Sequence, residues 1–137
     1  MLEPGSFKES SWQQADIYLA NTMGELGVFF ALAQVSFIGG SFKNGGHNPI
    51  EPAHFTTNII FGPDMSNFKI IAEDFITAKA ARQSQNKEQL AQDLTELFTS
   101  KYATAKSALV KNSSKLVAQN SMVIDEYMKY ISRYLDK

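Results

Sequence analysis

The segment from Val35 to Pro52 constrains the fold more than any other part of the chain. Residues 35–38 form a short apolar run, which predicts a strand buried on both faces of a parallel sheet. Glycines follow at 39–40 and 45–46, and Asn48-Pro49 then predicts the beginning of a helix. Amides at a helix N-terminus point outward and the helix dipole adds partial positive charge, so an anion is favoured there. The segment therefore predicts a phosphate or carboxylate bound at residues 45–48.

Each part of this loop also fits a purely structural role. The Gly39-Gly40 pair is equally expected where a strand ends in a tight turn. Asn48 fits the N-cap of the following helix, and Glu51 fits the reciprocal acid of a capping box. His47 suits either a ligand contact or a hydrogen bond to the loop backbone. On the residues alone, the ligand site and the structural turn both stay open.

The rest of the chain alternates strand-like and helix-like segments. Thr22 and Glu25 have capping-box spacing before the first helix, and Asn86 caps the fourth. Pro52 predicts an irregular or 3₁₀ start for the second helix, and residues 112–114 predict a break in the last. Strands alternating with helices predict an α/β fold, a parallel sheet with helices on both faces. We expect strands at 16–20, 35–38, 58–61 and 78–82, and helices at 26–32, from 48, at 67–76, 87–98 and 101–135.

Length and composition limit the class of protein. At 137 residues the chain predicts one domain over 1–137, in which 1–12 are disordered or foreign to the natural chain and 112–137 form a C-terminal helix. No cysteine is present, which excludes disulfides and thiolate metal sites. A net charge of −1 without a basic run argues against nucleic acid as a partner. No apolar run is long enough to cross a membrane, and no ligand cluster predicts a metal.

The motif GGSFKNGGHNPIEP, with NTMGEL before it and FGPDMSNF after it, carries a family resemblance. From about residue 16 to residue 98 the chain resembles the carboxy-terminal, donor-binding domain of the 3-deoxy-D-manno-octulosonic acid (Kdo) transferases. The resemblance implies a Rossmann-like GT-B domain of a glycosyltransferase that builds the lipopolysaccharide inner core of Gram-negative bacteria. Fewer strands are predicted here than the roughly five or six of a doubly wound domain, so we expect a trimmed GT-B carboxy-terminal domain.

The resemblance also implies donor-binding residues. In such a domain the glycine loop holds the phosphate or the Kdo group, an acidic residue takes the ribose hydroxyls, and the NTMGEL segment lies against the cytidine. Carried over by motif, Glu51 would take the ribose, and Met23, Gly24 and Glu25 would line the cytidine. The full set of implied donor-binding residues is Met23, Gly24, Glu25, Gly39, Gly40, Ser41, Gly45, Gly46, His47, Asn48, Glu51 and Asn67.

The same resemblance implies a reaction and its partners. The donor would be CMP-Kdo, used without a metal or another cofactor. The acceptor would be a lipid A precursor held by an amino-terminal domain that also supplies the catalytic carboxylate. We therefore expect no catalytic residue in this chain, which alone would be soluble and inactive, while the whole enzyme would act at the cytoplasmic face of the inner membrane. Two alternatives stay open: a GT-B enzyme that uses another sugar nucleotide, such as a UDP-sugar, and a non-catalytic α/β binding module in which the glycine loop is only a turn.

Overall fold

The computed structural model describes residues 16–99 and 107–135, and within the last helix it describes side chains up to 119 and at 127–129, 131 and 132. Residues 1–12, predicted to be disordered or foreign, lie outside this part, as do 100–106. The elements in chain order are α1 Leu26–Leu32, β1 Val35–Phe37, α2 Ile50–Ala53, β2 Asn58–Phe61, a 3₁₀ turn Ser66–Phe68, α3 Lys69–Thr77, β3 Ala81–Gln83, α4 Lys87–Thr99 and α5 Ala108–Leu135.

The strands form one parallel sheet in the order β1-β2-β3. Val35 pairs with Asn58 across the first ladder, and Ile59 pairs with Ala81 across the second. Both faces of β2 are covered, because each of its residues is at most 1% exposed although successive side chains point to opposite faces. The predicted α/β fold, a parallel sheet covered by helices, is therefore confirmed. The carboxyl ends of all strands lie at one edge of this sheet.

Apolar packing joins β2 to the helices around it. Ile59 and Phe61 lie in one buried cluster with Phe75 of α3 and Val117 of α5. Burying a side chain of this size contributes about 1.5–3 kcal/mol, so the cluster is a main source of the free energy of folding. The predicted strand at 58–61 coincides with β2, and the predicted strand at 35–38 ends one residue early at Phe37.

A buried polar network fixes where α5 begins. The Ser107 hydroxyl donates to Asn58 Oδ1 at 2.6 Å and accepts the N–H of Val110 at 3.2 Å, which makes it the cap of the helix. Asn58 Nδ2 in turn donates to the Gln34 carbonyl at 3.0 Å. Because Asn58 and Ser107 are almost completely buried, these bonds satisfy polar groups that water does not reach.

The predicted strand at 16–20 is wrong. These residues lie outside the sheet, and Ile17 and Leu19 are 88% and 83% exposed. A β-favouring run becomes a strand only where a neighbouring strand satisfies its backbone hydrogen bonds. In the described part of the chain, β1 is hydrogen-bonded to β2 alone.

The predicted strand at 78–82 begins late, at Ala81, because α3 uses the preceding residues to end. Lys79 donates its N–H to the carbonyl of Ile76 at 3.0 Å, and Ala80 donates to that of Phe75 at 2.7 Å. This pair of bonds is the Schellman motif, whose C′ residue takes a left-handed conformation. Lys79 holds that position with a φ of 53°, where glycine is the usual residue.

The other helix predictions are mostly confirmed. Helix α1 matches 26–32, and α4 follows Asn86, whose side chain caps it by accepting the N–H of Gln89 at 2.8 Å. The predicted 67–76 helix begins as the 3₁₀ turn before α3. The predicted break at 112–114 is wrong. Ser113 bonds back to the Val110 carbonyl inside the helix, and Asn112 Nδ2 donates to the Lys79 carbonyl, so these polar residues serve α5 rather than interrupt it.

An ion-pair cluster holds α4 against β3. Arg82 donates bidentate hydrogen bonds to the Glu96 carboxylate at 2.9 and 2.8 Å. It also donates to the Asp93 carboxylate at 3.1 Å. Asp93 accepts a further bond from the Ser84 hydroxyl at 2.7 Å. The hydrogen bonds from Arg82 lower the pKa of Glu96, and those bonds raise the pKa of Arg82. The cluster sets the position of the residues that follow β3.

Replacing Lys79 with glycine should stabilise the protein. The left-handed conformation costs a residue with a Cβ atom roughly 1–2 kcal/mol, and glycine avoids that cost. We expect Lys79→Gly to raise the free energy of unfolding by about 1 kcal/mol, measured by urea denaturation. Lys115→Gly is the matched control, because this exposed lysine lies within α5 and glycine should destabilise a helix interior by about 1 kcal/mol. Destabilisation by both substitutions would contradict the role of Lys79.

Candidate functional site

The glycine loop is a compact turn that follows β1 at the carboxyl edge of the sheet. The carbonyl of Gly40 closes it by accepting the N–H groups of Asn44 at 2.8 Å, Lys43 at 3.3 Å and Gly46 at 3.3 Å. Gly40 has a φ of +73°, a left-handed conformation that glycine reaches at no steric cost. The predicted glycine loop is therefore present as a folded turn with its own hydrogen bonds.

The Ser41 hydroxyl extends the ladder between β1 and β2. The last main-chain bond of that ladder runs from the N–H of Ile38 to the carbonyl of Ile60 at 2.9 Å. The next would join Gly62 to Ile38, but Ser41 Oγ lies between them, donating to Ile38 at 2.6 Å and accepting from Gly62 at 2.7 Å. Ser41 is fully buried, so its hydroxyl is used inside the fold. The donor contact that the resemblance implies for Ser41 stays a prediction.

Ser41→Ala should destabilise the protein by about 2 kcal/mol. The substitution leaves the Gly62 N–H and the Ile38 carbonyl buried without their shared partner, and such groups cost about 1–3 kcal/mol. Urea denaturation would measure the loss as a lower midpoint. Ser114→Ala, at an exposed serine of α5, is the matched control and should change little. A Ser41→Ala midpoint equal to that of the control would contradict the ladder role.

The segment after β2 lies directly against the second half of the glycine loop. Gly45 and Gly46 have φ values of +75° and +70°. A Cβ atom on Gly45 would lie 2.5 Å from the Asn67 side chain, and one on Gly46 would lie 2.3 Å from Met65 Sδ. Glycine is therefore required at both positions for two independent reasons, the backbone conformation and the close approach of the neighbouring segment.

Hydrogen bonds fix this contact. The Asp64 carboxylate accepts the Gly45 N–H at 3.0 Å, and the Asn67 N–H donates to the Gly45 carbonyl at 3.0 Å. Asn67 Nδ2 donates to the carbonyls of Asn44 at 3.1 Å and Gly46 at 3.4 Å. The side-chain amide of Asn67 thus supports the loop, and its implied contact with the donor stays a prediction.

The amides predicted to face an anion already have acceptors within the protein. Gly45 donates to Asp64, Gly46 to the Gly40 carbonyl, and His47 to the Gly39 carbonyl at 3.2 Å. The carboxylate of Asp64 thus occupies the position that the sequence predicts for a ligand anion. Hydrogen bonds from Ser66 and from the Gly45 N–H lower the pKa of Asp64 below its ordinary value.

His47 and Asn48 lead from the loop into α2. His47 is exposed, and the loop passes close beneath it, since a Cβ atom on Gly39 would lie 3.5 Å from its ring. Asn48 Oδ1 accepts the N–H of Ile50 at 3.0 Å, but Asn48 lies one residue before the N-cap, so its predicted N-cap position is wrong. The N-cap position itself is Pro49, where the sequence predicts N1.

Helix α2 is a single α-helical turn, so the predicted irregular or 3₁₀ start is wrong. Bonds of 3₁₀ spacing occur instead at its end, where His54 donates to the Glu51 carbonyl at 3.3 Å and Phe55 to that of Pro52 at 3.0 Å. Glu51 is exposed, and in the part of the chain that the structure describes its carboxylate accepts no capping bond. The side chain is therefore available to a ligand.

A groove of about 470 Å³ between α1 and α2 brings Gly24 and Glu51 together. Both were predicted as donor contacts, although they lie far apart in the chain. Phe30 and Phe55 form one wall, with ring centroids 5.9 Å apart. The remaining lining residues are Leu26, Gly27 and His54. An acidic group beside aromatic and apolar walls suits a ligand with hydroxyl groups next to a planar ring.

Met23 and Glu25 flank the groove differently. Met23 is 99% exposed, and Glu25 is the N-cap residue of α1. The Thr22 hydroxyl donates to the Glu25 carboxylate, so the predicted capping box, in which Thr22 would cap and Glu25 would be the third helical residue, is wrong. Gly24, with a φ of +87°, turns the chain between them. Contacts of Met23 and Glu25 with cytidine stay predictions.

Some residues of the site were not predicted. Phe30 and Phe55 line the groove, and Asp64 contacts the glycine loop. The position of Asp64 could have been predicted from the sequence, because it follows β2 and the carboxyl ends of parallel strands meet at one edge of the sheet. A second groove, of about 480 Å³, is lined in part by Asp64. Its other walls come from the whole length of α3 and the end of β3, including Lys69, Glu73 and Gln83.

Metal-binding clusters and membrane-spanning helices are both missing from the described residues. Among residues 16–99 and 107–135 no group of histidine, aspartate and glutamate side chains is arranged to hold a metal ion. Within the same part of the chain, no helix combines the length and the apolar character needed to span a bilayer.

Comparisons by sequence and by structure match the chain to the same kind of protein. No protein-family model matches the chain. Over 120 residues it is 45% identical to the 3-deoxy-D-manno-octulosonic acid transferase of Rickettsia felis, a match covering 88% of the chain and 26% of the relative. Among solved structures, the C-terminal CMP-Kdo binding domain of WaaA from Acinetobacter baumannii matches with a TM-score of 0.66 and 35% identity. Over most of its length the chain is homologous to Kdo transferases.

These matches cover only part of each relative. The chain spans about a quarter of the length of the curated relatives it matches first. The structural match covers 73% of this chain and 52% of the Acinetobacter domain. Over 67 residues the chain is 45% identical to the Kdo transferase of Bordetella pertussis. The resemblance and the fold are confirmed.

Proposed function

We propose that this chain is the donor-binding part of a Kdo transferase and that it binds CMP-Kdo. The observation that carries the proposal is the groove shared by Gly24 and Glu51, one wall of which is α2, the helix that follows the glycine loop at the carboxyl edge of the sheet. Nucleotides bind at this edge in open α/β folds. The similar Acinetobacter domain is a CMP-Kdo binding domain at 35% identity, which supports the same donor here.

Each part of the site would take one part of the donor. Glu51 would accept hydrogen bonds from the ribose hydroxyls, since the residue lines the groove and its carboxylate does not cap α2. Gly24 and the Phe30–Phe55 wall would lie against the cytidine ring. The exposed His47 and the adjacent Asn48 would contact the phosphate or the Kdo carboxylate.

The transfer step needs groups from outside this chain. A carboxylate of an acceptor-binding domain would take the proton of the lipid A hydroxyl, whose oxygen would attack the anomeric carbon of Kdo. The bond from that carbon to the CMP phosphate oxygen would break, and CMP would leave with the electron pair. The side chains of His47 and Asn48 would donate hydrogen bonds that stabilise the charge developing on the phosphate. We therefore propose that the chain alone binds the donor without transferring Kdo, and that the whole enzyme works at the cytoplasmic face of the inner membrane.

CMP should bind the chain more tightly than UMP, and without a metal. The expected result is a set of amide NMR shifts centred on Gly24, Glu51 and His47 that saturates at lower CMP than UMP concentration. Addition of EDTA should leave the CMP shifts unchanged, because no metal-ligand cluster is present in the described residues. Equal responses to CMP and UMP would favour another sugar-nucleotide enzyme, and no response to either would favour a non-catalytic module.

Glu51→Gln should weaken CMP binding at least about tenfold, or roughly 1.4 kcal/mol. The charged carboxylate accepts stronger hydrogen bonds from hydroxyls than the amide does. Because Glu51 makes no cap bond, the melting temperature should stay nearly unchanged. Glu73→Gln is the matched control, since Glu73 lines the second groove and should not affect CMP.

A modified ligand provides the second control for this experiment. CMP lacking both ribose hydroxyls should bind the wild type and Glu51→Gln equally, because it offers nothing for the carboxylate to accept. A Glu51→Gln protein that melts lower but keeps wild-type affinity for CMP would show that Glu51 acts only in the fold.

A further inference from the structure

Asp64 spans the glycine loop with two separate parts of the residue. Its backbone N–H donates to the carbonyl of Ser41 at 2.8 Å, at the start of the loop. Its carboxylate accepts the N–H of Gly45 at 3.0 Å, at the far end. A single residue of the segment after β2 therefore fixes both ends of residues 41–45.

The carboxylate is itself held in one orientation. Its Oδ1 atom accepts the N–H of Ser66 at 3.2 Å and the Ser66 hydroxyl at 2.8 Å, which leaves Oδ2 directed at Gly45. Hydrogen bonds to a carboxylate are about twice as strong as those between neutral groups. These donors also lower the pKa of Asp64, so the group is ionised at neutral pH.

The loop packs closely against this segment. Gly45 and Gly46 face the Asn67 side chain and Met65 Sδ at distances too short for any Cβ atom. Their left-handed conformations direct the chain toward His47 immediately afterwards. The orientation of Gly45, which the Asp64 carboxylate fixes, thus determines where His47 and Asn48 begin.

We propose that Asp64 is a positioning residue, which holds the glycine loop in the shape that presents His47 and Asn48 to the phosphate of the donor. The inference rests on the proposed function. Asp64 itself is not a ligand, because its oxygens are used by Gly45 and Ser66 and its negative charge would repel a phosphate. The phosphate therefore binds on the His47 side of the loop and leaves the Gly45 amide bonded to Asp64.

Ligands with and without the phosphate test this role in the 137-residue protein. Asp64→Ala should weaken CMP binding at least about tenfold and change cytidine binding less than about twofold, since only CMP reaches the loop. Asp64→Asn keeps an oxygen that can accept the Gly45 N–H, so its CMP affinity should stay within about threefold of wild type. Asp74→Ala, at an exposed aspartate of α3, is the matched control and should change neither affinity.

Three results would overturn the inference. Equal losses of CMP and cytidine binding in Asp64→Ala would indicate general damage to the fold. Unchanged CMP binding in that variant would show that the loop does not need the carboxylate. A loss in Asp64→Asn as large as in Asp64→Ala would assign the effect to charge instead of the hydrogen bond to Gly45.

Amide hydrogen exchange separates this inference from the proposed function. In Asp64→Ala the Gly45 N–H should exchange at least about tenfold faster than in the wild type, while the Ile60 N–H in β2 stays unchanged. If wild-type protein binds neither CMP nor cytidine, the proposed function fails, and the phosphate role of Asp64 fails with it. An unchanged Gly45 exchange rate overturns the positioning role whatever the ligand results.

Discussion

The hydrogen bonds of the Ser41 hydroxyl are the constraint on which the site depends. A parallel ladder normally ends when one strand turns away, and the next N–H and carbonyl are left to water. Here the Ser41 side chain takes the position between the Ile38 carbonyl and the Gly62 N–H, so β1 and β2 stay joined one step beyond their last main-chain bond. Gly62 has no room for a side chain, since a Cβ atom would lie 2.4 Å from the Ser41 carbonyl oxygen.

This link brings two loops from neighbouring strands into one unit. Once Ser41 and Gly62 are fixed, the residues after each begin at a defined distance from one another, and the contacts of Asp64 and Asn67 with Gly45 follow. The shape of the glycine loop therefore depends on the segment after β2 as much as on its own glycines. Substitutions in either segment act on the same structure, and their effects on stability should not be additive.

The sequence predicted the parts of the fold that depend on neighbouring residues. The buried strand at 58–61 and the cap at Asn86 are confirmed because apolar runs and cap spacing are local signals. The strand at 16–20 was wrong because a strand also needs a partner, which local residues do not reveal. The strand at 78–82 was misplaced because no local signal indicates that Lys79 takes a left-handed conformation, which glycine usually adopts.

At the site, too, some features could be predicted from the sequence and others depend on tertiary contacts. The resemblance led to Gly24 and Glu51, and the structure places both in one groove. Local reasoning also predicted free amides at residues 45–47, but their acceptors are the carboxylate of Asp64 and carbonyls of the preceding turn. Asp64 is separated from Gly45 by β2 and the whole of α2, so only the folded chain shows that the two meet. A motif identifies which residues gather at a site, whereas the hydrogen bonds among them depend on tertiary structure.

Helix α1, which forms one side of the groove, differs from the rest of the fold. The structure describes all seven of its residues, and none of them is buried. A helix this short is marginal in water unless packing supports it, so we expect α1 to unfold locally at less than the global free energy of unfolding. The donor binding that we propose for the groove would therefore be coupled to the folding of α1. The apparent dissociation constant would equal the intrinsic value divided by the fraction of molecules in which α1 is formed. Any contact that covers the exposed apolar side chains of α1 would therefore raise the affinity without touching the nucleotide.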